Sequence, residues 1–127
     1  MDYDQYIRVG GFADPGTAAA FMHACDWLVI PSRIESIPLI FVDAIHMRLP
    51  VIATEVGDLG ALVRRFGIGT VAKPADPIDL ANAIQTALSR PRSNFSGDWD
   101  KAEQMFNLRK TAIRCAESLA AISKVGE

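Results

Sequence analysis

Two acidic residues flank a predicted helix start near the middle of the chain. Glu35 lies just before that start, and Asp43 follows Glu35 by eight positions. Ser36 is the predicted N-cap of the helix, and Pro38 lies in its first turn. The first N–H groups of a helix have no intrahelical acceptor and lie at the positive end of the helix dipole, where phosphate groups bind. The pattern therefore predicts a diphosphate at the helix start, with a carboxylate on each side to accept hydrogen bonds from sugar hydroxyl groups.

The candidate diphosphate ligands are backbone N–H groups near this start. They belong to Ile37, Leu39 and Ile40, whereas Pro38 has no N–H group. Spacing alone leaves a simpler interpretation open, in which Glu35 is an exposed loop acid and Asp43 is a solvated helix residue.

Strands and helices alternate along the chain. Near-continuous apolar runs at residues 27–30, 51–54 and 67–72 are typical of strands buried on both faces, and a short run at residues 6–9 predicts one more. A helix is predicted after each strand, and a last helix spans residues 101–123. The predicted buried helix faces are Ala18, Phe21, Met22 and Cys25; Leu59, Leu62, Val63 and Phe66; and Leu80, Ile84, Ala87 and Leu88. This order predicts an α/β fold with a parallel sheet of about four strands, whose ligands bind beyond the carboxyl ends of the strands.

The composition is that of one ordinary globular domain. The chain has 127 residues and a net charge of −2, which creates no field that would recruit nucleic acid or an anionic membrane. Its apolar runs are far shorter than the roughly 20 residues of a membrane span, and acidic residues stand where a secretory signal is basic. Cys25 and Cys115 match no metal or redox spacing, so we expect buried or half-buried thiols in a reducing compartment and no metal site. Residues 1–90 form the predicted ligand-binding part, and residues 91–127 form a linker and C-terminal helix of the same domain.

An ordered set of motifs surrounds the two acids. It consists of residues 25–32 (CDWLVIPS), the pair Glu35 and Asp43, residues 49–54 (LPVIAT), residues 56–57 (VG) and residues 74–77 (PADP). Over residues 27–79, and less sharply over residues 6–88, the chain resembles the C-terminal domain of the group 1 nucleotide-sugar glycosyltransferases, which are retaining enzymes of the GT-B type. The resemblance implies a partial Rossmann-like domain with three layers. It also implies a UDP-, GDP- or ADP-linked sugar as the donor substrate, with no separate cofactor.

The resemblance implies a role for each motif residue. Glu35 matches the catalytic acid that faces the transferred sugar, and Asp43 matches the acid that binds the ribose hydroxyl groups. Gly11 and Phe12 match the loop near the nucleotide base. The donor-binding segment between the two acids consists of Ser36, Ile37, Pro38, Leu39 and Ile40. The last helix resembles the segment that crosses back to the N-terminal domain, which would cover its apolar stripe.

Four positions depart from the family pattern. Asp43 replaces a Glu, which shortens the reach to ribose by one methylene group. Arg48 stands where a helix-ending Gly is usual, and a residue other than Gly is strained there if φ is positive. Asp58 and Ala61 replace a Gly and a Glu.

The family's C-terminal domain begins with two further βα units, which carry the Arg and Lys that neutralise the donor phosphates. These units and the N-terminal acceptor domain have no counterpart in the sequence, and the basic candidates nearby are Arg8, Arg33 and Lys73. We therefore expect a fragment with half a donor site that is inactive alone. The intact enzyme would be cytoplasmic or peripheral at the inner membrane, with a saccharide or lipid-linked acceptor.

Missing units leave apolar surface to be covered. We expect residues 6–9 to pair with residues 27–30 in one continuous sheet, and we expect self-association through the uncovered faces. Two alternatives stay open. One is a degenerate, non-catalytic interaction module, which Asp43, Arg48 and Ala61 favour. The other is an unrelated flavodoxin-like or receiver-like domain, whose ligand loop would follow residues 6–9.

Overall fold

A computed structural model describes residues 5–90 and 95–123 of the chain. The predicted linker therefore lies partly outside the described residues. The strands are β1 (Leu28–Ile30), β2 (Val51–Thr54) and β3 (Gly69–Ala72). The helices are α1 (Pro15–Ala24), α2 (Leu39–His46), α3 (Leu59–Phe66), α4 (Pro77–Leu88), α5 (Trp99–Met105) and α6 (Leu108–Ser123). Among the described helices, none is both long enough and apolar enough to cross a membrane.

The three strands form one parallel sheet in the order β1-β2-β3, which confirms the α/β fold. The predicted strand at residues 6–9 is wrong, because these residues form no strand and Tyr6 and Val9 are 79% and 93% exposed. A strand beside β1 would need a helix to cover it, and α4 packs mainly against β2 and β3. Residues 6–9 would therefore gain backbone hydrogen bonds on this edge but bury little apolar surface. In the described part of the chain the sheet has three strands instead of four.

The main core lies on the sheet face covered by α3, and residues of α2 and α5 pack into the same cluster. Val51 and Ala53 of β2 are fully buried in it, together with Phe41 of α2. The predicted face of α3 is confirmed, since all four of its apolar residues are buried in this core. Each fully buried side chain of this size contributes about 1.5–3 kcal/mol relative to its exposed state. This core therefore holds the first turns of α2 and α3 against the sheet.

Helix α4 covers the opposite face of the sheet. Ile52 and Ala87 are buried there, because alternate residues of β2 point to opposite faces. Val29 of β1 points to the same face and stays 39% exposed, since α4 lies over the other two strands. The prediction that Leu88 lies on the buried face of α4 is wrong, because Leu88 is the last residue of the helix and is 67% exposed.

Helices α1 and α4 begin where the sequence has Asp followed by Pro, a pattern that predicts an N-cap and a first helical residue. The Asp14 carboxylate accepts hydrogen bonds from the N–H groups of Gly16 at 2.9 Å and Thr17 at 3.1 Å. The Thr17 hydroxyl also donates to Asp14 and holds the pKa of that carboxyl below its ordinary value. Asp76 caps α4 in the same way, accepting from the N–H of Asp79 at 2.9 Å. Each cap stabilises its helix by about 1 kcal/mol.

Helix α2 is followed by a residue in the left-handed region. Arg48 has φ +49°, so the strain that the missing Gly implies is present. The Arg48 guanidinium donates to Asp100 of α5 at 2.8 Å and lies 3.6 Å from Glu103. The strained turn thus carries a side chain that links α2 to α5.

The prediction of one continuous helix over residues 101–123 is wrong. The segment forms two helices, α5 and α6, which are separated by Phe106 and Asn107. The Asn107 side chain accepts a hydrogen bond from the N–H of Lys110 at 2.9 Å and starts a new helix, as short polar side chains do at N-caps. The apolar stripe of α6 is exposed, with Leu108 and Leu119 at 82% and 68%.

Burial of the first helix and of the thiols also differs from expectation. Only Met22 of the predicted face of α1 is buried, and Phe21 is 61% exposed. Cys25 and Cys115 form no disulfide within the described residues, and both are exposed instead of buried or half-buried. Periodicity identified the apolar side of α1, but no described element covers most of it.

Candidate functional site

The loop that carries Glu35 connects β1 to α2 at the carboxyl edge of the sheet. Its first residues are tied to the end of β2: the Thr54 hydroxyl lies 2.5 Å from the carbonyl oxygen of Ser32 and 3.4 Å from that of Ile30. Thr54 is buried at 3% exposure. A buried hydroxyl needs a hydrogen-bond partner, so this contact fixes where the loop leaves the sheet. The sequence predicts Thr54 only as a strand residue. A polar residue at the end of an apolar strand is the signal that could have indicated its hydrogen-bonding role.

The turn after β2 packs against the same loop. Gly57 has φ +49°, and a Cβ placed on it would lie 2.3 Å from the carbonyl oxygen of Glu35 and 2.9 Å from Cα of Ser36. Only a residue without a side chain fits in this conformation and this space. The motif glycine therefore positions the backbone that carries the candidate catalytic acid, a role that the sequence alone did not reveal.

The Glu35 side chain is half-buried and turns back onto its own loop. Its Oε1 accepts a hydrogen bond from the N–H of Ser36 at 3.0 Å. This bond holds the carboxylate at the start of the segment that leads into α2, and Oε2 has no hydrogen-bond donor within the described residues.

Helix α2 begins two residues later than predicted. Its N-cap is Pro38, which provides no side-chain hydrogen bond, and Ser36 lies outside the helix. The reason is that the ring of Pro38 disfavours helical φ and ψ angles at the preceding residue, Ile37, so a helix does not start at Ser36. The N–H groups of Ile37, Leu39 and Ile40 have no acceptor within the described residues, whereas the N–H of Phe41 donates to the Pro38 carbonyl at 3.0 Å.

The second acid lies on the same side of α2 as its first residue. Asp43 follows Leu39 by four positions, which is one turn and about 6 Å along the helix axis. Asp43 and Leu39 are exposed, the latter at 83%. The free N–H groups therefore lie between Glu35 and Asp43 in the sequence, at a helix start with exposed side chains.

The loop of Gly11 and Phe12 is not brought into this arrangement. Phe12 is fully exposed, and a Cβ placed on Gly11 would meet no atom within 4 Å. In the described residues, therefore, no packing contact of this loop with the start of α2 is seen.

A small cleft of about 180 Å³ adjoins the Glu35 loop. It opens between that loop and the turn before α4, where Ala75 has φ +55°. Its lining includes Arg33, Thr54, Asp76 and Pro77. Arg33 has no carboxylate within 4 Å among the described residues, so its charge is available at the carboxyl edge.

The departures Asp58 and Ala61 lie at the start of α3. Asp58 occupies the N-cap position without a side-chain hydrogen bond, and Ala61 is exposed. Near them, Arg64 forms a two-pronged ion pair with Glu55, with one contact at 2.7 Å. The hydrogen bonds from Arg64 hold the pKa of the Glu55 carboxyl below its ordinary value.

Across the described ranges, no group of three or more His, Cys, Asp or Glu side chains is arranged to hold a metal ion. The backbone N–H groups at the carboxyl edge can instead bind an anion, and the carboxylates of Glu35 and Asp43 can accept hydrogen bonds from hydroxyl groups of a ligand.

Fold and site together define a Rossmann-like α/β domain in which a helix start with free N–H groups follows the carboxyl end of β1. The family described as "Glycosyl transferases group 1" matches residues 2–90. The chain therefore belongs to the group 1 glycosyl transferases, and the unrelated flavodoxin-like or receiver-like alternative is wrong.

Individual relatives agree with this assignment. The chain is 41% identical over 79 residues to an uncharacterized glycosyltransferase of Methanocaldococcus jannaschii, covering 62% of this chain and 22% of the relative. It is 32% identical over 114 residues to a D-inositol 3-phosphate glycosyltransferase of Geodermatophilus obscurus, covering 84% of this chain and 25% of the relative.

A solved structure extends the likeness to the fold. Sucrose-phosphate synthase from Thermosynechococcus elongatus superposes with a TM-score of 0.83 at 26% identity, over 96% of this chain and 31% of that chain. The chain thus spans about a quarter of the length of these curated relatives and about a third of the solved neighbour.

Proposed function

We propose that this chain forms part of the donor site of a retaining glycosyltransferase that uses a UDP-, GDP- or ADP-linked sugar. The observation that supports the proposal is the group of free N–H groups at the start of α2, between Glu35 and Asp43. These N–H groups, together with the positive end of the helix dipole, would bind the donor diphosphate and stabilise it as the leaving group.

The two acids would orient the sugars on either side of the diphosphate. Oε2 of Glu35 would accept a hydrogen bond from a hydroxyl group of the transferred sugar, while Oε1 stays bonded to Ser36. Asp43 would accept hydrogen bonds from the ribose hydroxyl groups, because it lies one turn into the helix and is exposed. Gly11 and Phe12 would approach the base only when the donor is bound.

This chain would supply about half of the residues of the donor site. Arg33 is the basic side chain nearest in sequence to Glu35, and two residues span at most about 7 Å, so it is our candidate for a phosphate contact. The N-terminal acceptor domain and the further basic residues of the family would come from the rest of an intact enzyme. We therefore infer that this chain does not turn over donor alone, and that the intact enzyme transfers the sugar to a saccharide or lipid-linked acceptor in the cytoplasm.

The test is a titration of the ¹⁵N-labelled chain with UDP and GDP. We expect shifts of the amide signals of residues 36–40, and we expect Glu35→Ala and Asp43→Ala each to remove them. Glu117→Ala is the matched control, because it removes one exposed carboxylate from α6, far along the chain from the site. Absence of any shift at millimolar nucleotide, or equal effects of all three variants, would contradict the proposal.

The degenerate interaction module is the second candidate. The bond between Ser36 N–H and Glu35 favours it, because this bond occupies the N–H group of a predicted donor-binding residue and one oxygen of the predicted catalytic acid. The module would associate through its open sheet edge, and exposed apolar residues such as Val29 and Phe21 would lie in the interface. Light scattering separates the candidates: the module predicts a stable oligomer and no nucleotide binding.

A further inference from the structure

A second cleft lies at the opposite edge of the sheet from the Glu35 loop. It has a volume of about 600 Å³ and opens between the end of α3, helix α5 and the first turns of α6. Helix α3 runs from the carboxyl edge, after β2, to the amino edge, before β3, so its last residues lie away from the donor site. The charged residues that line the cleft are Arg65, Lys101, Lys110, Arg114 and Asp98.

This cleft is strongly basic in a chain that is acidic as a whole. Four cations face one carboxylate, whereas the net charge of the chain is −2. The pair Lys101–Asp98, at 2.5 Å, uses the carboxylate and one cation. The other three cations, Arg65, Lys110 and Arg114, have no carboxylate within 4 Å among the described residues.

Local helix effects account for only one of these three cations. Arg65 lies in the last turn of α3, where a cation is favourable at the negative end of the helix dipole. It also lies 5.5 Å from the centre of the Phe66 ring, which holds the guanidinium over the cleft. Lys110 lies in the first turn of α6, where the dipole disfavours a cation, and Arg114 lies in the second turn, where the dipole has little effect. These two cations line the same cleft as Arg65, and an anion between the helices would offset the repulsion among the three.

We propose that this basic cleft binds a soluble ligand that carries two or more phosphate groups. A cleft of this volume matches a small-molecule site, and three unpaired cations match a multivalent phosphate better than a single one. The net charge of −2 argues against a long polyanion such as nucleic acid, which a protein attracts through an overall positive field. The proposal does not depend on the donor site, because the two sites share no residue.

The probe for the test is inorganic tripolyphosphate, added to the full chain and followed by calorimetry and amide shifts. We expect saturable binding that weakens with added salt, stronger than binding of inorganic monophosphate. Lys110→Ala with Arg114→Ala should weaken it by about tenfold, because two charge-assisted contacts are lost. Alanine is a good helix former and both residues are exposed, so α6 is preserved.

The matched control is Arg90→Ala with Arg109→Ala. This pair removes the same charge from exposed positions outside the cleft, and one of them is on the same helix. It should change the affinity by less than about threefold, through long-range screening only. No saturable binding, or an equal loss in both double variants, would overturn the proposal. Binding to phosphatidylglycerol vesicles that tripolyphosphate does not displace would also overturn it, in favour of a lipid surface.

Discussion

Replacing Gly57 by Ala tests whether the turn after β2 positions the Glu35 loop. Two costs arise in the folded state. Alanine at φ +49° carries the strain of the left-handed region, about 1–2 kcal/mol. Its Cβ would also lie 2.3 Å from the Glu35 carbonyl oxygen, so one backbone segment must move. Overpacking of this kind costs about 1–3 kcal/mol.

A matched variant separates these costs. Gly67 ends α3 at φ +62°, and a Cβ there would meet no atom within 4 Å. Gly67→Ala therefore carries the backbone strain alone, about 1–2 kcal/mol. We expect Gly57→Ala to lower the free energy of unfolding by about 2–5 kcal/mol, which is about 1–3 kcal/mol more than the control.

The assay is urea unfolding followed by circular dichroism, with amide spectra of each folded variant. In Gly57→Ala the Ser36 and Thr54 signals should shift, because moving the loop disturbs the hydrogen bond from Thr54 to Ser32. They should not shift in Gly67→Ala. If the two variants lose the same stability within about 0.5 kcal/mol, a margin set by ordinary surface substitutions, and the Ser36 signal is unchanged, the steric reasoning is refuted.

Two further predictions concern surface charge. The lowered pKa of Glu55 means that its ion pair with Arg64 stabilises the fold above the unfolded pKa, and that this contribution is lost as the pH falls through the folded pKa. Wild-type protein should therefore lose more stability than Glu55→Gln between pH 7 and pH 3, measured as urea midpoints; equal losses would contradict the assignment. Arg48→Gly and Arg48→Ala both lose the contacts to Asp100 and Glu103, but only Gly relieves the positive φ. The Gly variant should thus be more stable by about 1 kcal/mol, and an Ala variant of equal stability would show that the turn is unstrained.

The family and much of the local structure could be predicted from the residues. The order of the motifs identified the family, and local signals identified Asp14 and Asp76 as helix caps, because a cap depends on residues within about four positions. The apolar positions of α3 followed from helical periodicity for the same reason. These interactions are short in sequence, so neighbouring residue types determine them.

Other features required the tertiary structure. Whether residues 6–9 form a strand depends on a covering helix that is distant in sequence, and burial of the α1 face depends on which elements reach it. The exclusion of a side chain at Gly57 arises from contact with the Glu35 backbone, and the basic cleft joins cations from three helices. Contacts between segments that are distant in sequence do not follow from neighbouring residue types. They are determined by how the helices and strands pack in the tertiary structure.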